Sequence, residues 1–88
     1  MIKPELFDSV ELLIDLPDEN LRAGDKGAIV HQHDDKNFEV EFMNAEGETL
    51  ALVTVNSDQF IVVWRNATHE DVPEEERITE LIYTLRAY

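Results

Sequence analysis

Residues 9–16, SVELLIDL, alternate: Val10, Leu12, Ile14 and Leu16 point one way, Glu11, Leu13 and Asp15 the other. A period of two is that of a strand with one buried face. Pro17 has no N–H for a ladder and PDEN reads as a turn. In LRAGDKG, Gly24 and Gly27 flank Asp25, which predicts a tight turn tolerant of positive φ. AIVHQH, 28–33, reads as a second strand, with Ala28 and Val30 on one face and Ile29, His31 and His33 on the other. HDDKN is a polar hairpin loop. NFEVEFMN, 37–44, is the most regular strand: Phe38, Val40 and Phe42 inward, Glu39 and Glu41 outward. AEGE makes the next turn, with Gly47 in a left-handed position. TLALVTV, 49–55, is apolar on both faces, the pattern of a central or doubly covered strand. NSDQ predicts one helical turn and FIVVWR, 60–65, a fifth strand. The expected core is Phe38, Val40, Phe42, Leu52, Ile61 and Val63.

The period then changes. In PEEERITELIYTLRAY, Pro73 suits the first turn of a helix, and Glu74, Glu75 and Glu76 complement its N-terminus. Ile78, Leu81, Ile82 and Leu85 fall at i, i+3, i+4 and i+7, one apolar stripe. Arg86 stands where a cation is favourable. Short strands at about ten-residue spacing predict a mostly β fold, a small antiparallel barrel of about five strands followed by an amphipathic helix. The organisation expected is a barrel over residues 1–69 and a helix over 70–88 that packs on the barrel or on another subunit. A barrel this small has little room inside. The stripe Ile78, Leu81, Ile82 and Leu85 is therefore the expected interface of a homo-oligomer, with Trp64 and Tyr83 adding aromatic area.

The order of these features resembles a family of small bacterial domains of unknown function, frequent in cyanobacteria. Its members look like LPxxxLxxGxxGxVV, then FEVEF-x-D/A-x-G-x-T-x-ALxTL, then a short turn with glutamine. The matching positions begin with Leu16, Pro17, Leu21, Gly24, Gly27, Ile29 and Val30. They continue through Phe38, Glu39, Val40, Glu41, Phe42, Gly47, Thr49, Ala51, Leu52, Thr54 and Gln59. The likeness covers residues 6–64 and implies an SH3-like barrel. It brings no activity and no catalytic or binding residue, and the helical tail from residue 70 lies outside it.

Composition narrows the partners. Twenty acidic residues face seven basic ones in a chain of 88, a net charge of −13. Phosphate backbones and anionic membranes repel such a surface, so neither nucleic acid nor membrane is expected. A basic protein is the partner it would attract. The N-terminal segment lacks the basic start and continuous apolar run of a signal peptide. No apolar run approaches the length of a membrane span. Zero cysteine removes disulfides and thiolate ligands and fits a cytoplasmic protein.

Candidate chemistry is thin. His31 and His33 on one strand face stand about 6–7 Å apart. They could present two imidazoles to a metal, with Asp34, Asp35 or His69 completing the set. No third ligand is defined by the spacing, so a solvated strand end is the stronger reading and no metal or other cofactor is expected. Gly24 and Gly27 lack the GKS or GKT ending of a phosphate loop and lead into a strand. Glu39 and Glu41 pair carboxylates on one face, without a nucleophile or base beside them. The expected function is therefore a non-enzymatic protein-interaction module with an acidic surface for a basic partner. The alternative is a small-molecule- or metal-binding protein using the 31–35 loop or a cavity at an oligomer interface.

Overall fold

In the computed structural model, which describes residues 2–86, the chain forms six strands and one α-helix. They are β1 (Ser9–Leu12), β2 (Lys26–Gln32), β3 (Asn37–Met43), β4 (Thr49–Asn56), β5 (Phe60–Arg65), β6 (Glu70–Asp71) and α1 (Glu74–Arg86). The strands make one antiparallel sheet in the order β4-β3-β2-β1-β5-β6. β2, β3 and β4 are successive hairpin partners. β1 lies between β2 and β5, with Leu12 opposite Phe60. The sheet is open: β4 and β6 are its two edges.

The core follows the strand alternation. Phe38, Val40 and Phe42 of β3 are sealed from water, as are Val10 and Leu12 of β1, Ile29 of β2 and Val55 of β4. Phe60 and Val62 of β5 join them, with Leu21 and Val72 from the connections. The rings of Phe38 and Phe60 meet edge to face at 5.6 Å. Two strands separate β3 from β5 in the sheet, so the sheet must curl over its inner face for this contact to form. Full burial of each such side chain is worth about 1.5–3 kcal/mol.

Several expectations are corrected. β1 stops at Leu12: the chain bends, the Leu13 amide donates to Gln59 O, and Leu16 bridges Leu21. Ile14 is thereby left exposed. Gly27 is not a turn residue but lies in β2, where an added Cβ would sit 2.6 Å from Glu41 O. Its lack of a side chain lets β3 approach, whereas Gly24 (φ 95°) and Gly47 (φ 83°) supply the expected left-handed turns. In β2 a bulge between Ile29 and His31 places the extra residue Val30 against the β3 ladder. The alternation reverses there, so Ile29 faces the core while His31 faces out.

β4 is neither central nor doubly covered. It is an edge strand, and Leu52, an expected core residue, is 57% exposed. Ala51, Val53 and Val55 are the residues that β4 turns toward the core. Ile61 and Val63 are buried, but they alternate with Phe60 and Val62 and so lie on the opposite face of β5 from the main core. The predicted turn at NSDQ is a single 3-10 turn, Ser57–Gln59, closed by a capping box between Asn56 and Gln59. The short strand β6 escaped the pattern because two residues carry no period.

Candidate functional site

α1 packs on its own chain by an unexpected side. Its half-buried residues are Arg77, Glu80 and Thr84, at i, i+3 and i+7. The Arg77 guanidinium donates to Val72 O at 2.9 Å and Val63 O at 3.2 Å, tying the helix to β5 and to the segment before it. The carboxylate of Glu80 accepts from the Ile2 amide. With the polar side turned inward, the apolar stripe turns outward. Ile78, Leu81, Ile82 and Leu85 are 51, 38, 46 and 65% exposed, and Tyr83 is exposed beside them. On the helical wheel Glu74 and Glu75 fall on the same side as the stripe, at its N-terminal end. The result is a ridge of large apolar side chains with carboxylates at one end.

The histidines form a different cluster. His31 and His33 meet edge to face with ring centroids 4.7 Å apart. His33 Nε2 lies 3.3 Å from Glu39 Oε1, and His31 stands opposite Glu39 in the ladder. Asp34 does not join them. Its Oδ1 accepts from the amides of Lys36 and Asn37, each at 2.8 Å, and its carboxylate also accepts from the Asn37 side chain. The Asn37 side chain first, then the two amides, holds the Asp34 carboxyl below the usual aspartate value. Asp34 is thus the residue that shapes the hairpin loop. His69 lies elsewhere, edge-on to Trp64 at 5.4 Å. Among the described residues no group of three or more His, Asp or Glu side chains is arranged to hold a metal ion. Glu41 is engaged by the Thr49 hydroxyl at 2.9 Å.

The N-terminal segment contributes features that no periodicity signals. Asp8 is buried and accepts from the amides of Glu5 (3.0 Å) and Asn66 (2.9 Å), with Arg65 Nε 3.5 Å away. Arg65 also pairs with Glu5. Phe7 holds a left-handed backbone (φ 68°) while its amide donates to Ile29 O, leaving its ring outside. A cleft of about 250 Å³ lies between this segment, β5 and α1, walled by Ile2, Lys3, Asp35, Asp58, Ile61 and Glu80. Among the described residues no helix is long and apolar enough to cross a membrane.

Together these observations define a small, mostly β domain of six antiparallel strands, with a helix that offers its apolar face to the outside. The chain belongs to the domain-of-unknown-function family DUF4926, whose sequence profile matches residues 6–62. No curated protein and no solved structure matches it. The family match ends before α1, so the exposed ridge lies outside the matched region.

Proposed function

We propose that this protein is a non-enzymatic interaction module whose curled sheet is of the SH3-like kind and whose working surface is the outer face of α1. The observation that carries this reading is the ridge of Ile78, Leu81, Ile82 and Leu85 left exposed on a helix already anchored through its opposite side. Monomeric proteins keep contiguous apolar patches small, and larger ones mark interaction sites. The occupant that fits is a basic protein presenting an apolar strip with cations beside it. Glu74 and Glu75 would meet those cations, and the net charge of −13 would draw the partner in. A second copy could cover the same ridge, but it would bring its own −13 and its own glutamates to the contact. The absence of cysteine suits a reducing, cytoplasmic setting.

Calorimetric titration with two synthetic amphipathic helices, one of leucine and lysine and one of leucine and glutamate, tests this. The lysine peptide should bind, weaken as salt is raised, and shift the NMR signals of Ile78, Leu81, Ile82 and Leu85. The pair Leu81→Glu with Leu85→Glu should abolish binding. Equal binding of both peptides, or shifts confined to another surface, defeats the proposal. Light scattering on the same samples reports whether a second copy occupies the ridge instead.

A further inference from the structure

We infer that the free edge of β4 is a self-pairing surface, on which β4 adds antiparallel to β4 of a second copy to make one continuous sheet. This contact is separate from the helix ridge and rests on different observations. β4 ends the sheet, so one side of its backbone faces no strand among the described residues. An edge of this kind presents a row of unsatisfied N–H and C=O groups that templates another strand. Proteins commonly blunt such edges with lysine, proline or an inward charge. β4, TLALVTVN, carries none of these. It is the one strand of the six without an ionisable residue, in a chain where 31% of residues are charged.

The carboxylates around the edge keep their charge but are oriented by side chains of their own chain. The carboxylates nearest in the ladder are held by partners of their own: Glu41 by the Thr49 hydroxyl, Glu48 by the Asn44 amide group at 3.2 Å, and Glu39 by His33. Leu50 and Leu52, both more than half exposed, and Met43 beside them add apolar area on the outer face. This charge distribution selects the occupant. Two chains of −13 repel wherever free carboxylates meet, and β4 lets them join with no carboxylate in the new ladder. A basic segment gains nothing electrostatic from β4 and is drawn to the acidic surfaces instead.

The register follows from the bulge. β4 departs from regular pairing at Leu50, between the Phe42↔Ala51 and Met43↔Thr49 pairs, whereas Ala51–Val55 pairs residue by residue with β3. A two-fold axis through Val53 uses all of that regular stretch. It sets Val53 against its own copy and Ala51 against Val55 on the inner face, and Leu52 against Thr54 on the outer face. A single strand edge falls short of the roughly 800 Å² per partner of a permanent interface, so the dimer should form and dissociate with concentration.

The test combines light scattering with crosslinking. Wild type should pass from monomer to dimer as concentration rises through the micromolar to millimolar range. Leu52→Glu with Thr54→Glu, both at exposed positions, places carboxylates opposite one another across the two-fold. It should raise the dimer dissociation constant by about tenfold or more with little change in the thermal transition. The chain has no cysteine, so Val53→Cys gives an unambiguous readout: it should form an interchain disulfide under mild oxidation, while Thr49→Cys should not. A wild type that stays monomeric throughout overturns the inference. So does a dimer that survives the β4 double substitution and dissociates in Leu81→Glu with Leu85→Glu, which would place self-association on the helix.

Discussion

Phe42 and Leu85 are both large apolar residues in regular repeats, yet one is sealed from water and the other is 65% exposed. The repeat around Phe42 is a strand repeat. Its neighbours Phe38 and Val40 enter the same core, and the backbone between them is held on both sides by β2 and β4. The repeat around Leu85 is helical, and its backbone is satisfied within the helix itself. A helix can therefore rotate its stripe to either side without losing a backbone hydrogen bond. Here Arg77, which donates to the carbonyls of Val63 in β5 and of Val72 just before the helix, fixes the rotation with the stripe outward. Periodicity tells which residues share a face. The bonds made by the other face decide which way it points.

Five variants test the contrast. Phe42→Ala should cost about 3–5 kcal/mol, the range for truncating a fully buried aromatic, read as a lowered urea midpoint with unchanged slope. A midpoint that does not move would place Phe42 outside the core. Gly27→Ala should cost about 1–3 kcal/mol through overpacking, because the new methyl meets the Glu41 carbonyl, and Val40 Cγ1 at 2.8 Å. Gly24→Ala, with open space around it, should suffer only from its backbone angle. Arg77→Met keeps the aliphatic stem and removes the two bonds to carbonyls. About 1–2 kcal/mol should be lost, with faster hydrogen exchange across α1 and little change in β3. Equal exchange in both elements would show that the helix is held by something else. Leu81→Glu with Leu85→Glu should change stability by no more than about 0.5 kcal/mol. A lost cooperative transition there would mean that the ridge seals the protein's own sheet.

The legible parts of the sequence were those with a long, unbroken period. β3 and β5 fall within a residue of their expected bounds; α1 begins directly after Pro73, later than the expected span from 70, because Glu70 and Asp71 pair with β5 as β6. The failures share a cause: each depends on what lies beside a segment rather than within it. TLALVTV has the composition of a doubly covered strand, but its place at the sheet edge comes from the order of pairing, which no single segment records. The two histidines do share a face, yet Ile29 does not share it with them, because one bulge residue reversed the pleat. Asp34, weighed as one candidate third ligand, instead accepts from the Lys36 and Asn37 amides, a loop geometry that spacing does not record. Ile78, Leu81, Ile82 and Leu85, the expected interface, are exposed on α1, and the titration tests what covers them. Tyr88, in the same helical expectation, lies outside the described residues.

The place of β1 in the sheet also bears on how the chain is made. β2, β3 and β4 each pair with a neighbour in sequence, so this meander can form as soon as Asn56 has been synthesised. β1 emerges first but obtains its second partner only when β5 follows, and β5 is its longer ladder. During synthesis, therefore, Val10 and Leu12 wait half-paired while the rest of the inner face assembles. Pairings so distant in sequence are the slow ones, since loop closure opposes them before any contact compensates. A ribosome-stalled chain whose exposed part ends at Gln59 should show protected amides in β3 and unprotected ones along the β5 side of β1. Of these six strands, the first to emerge is among the last to be finished.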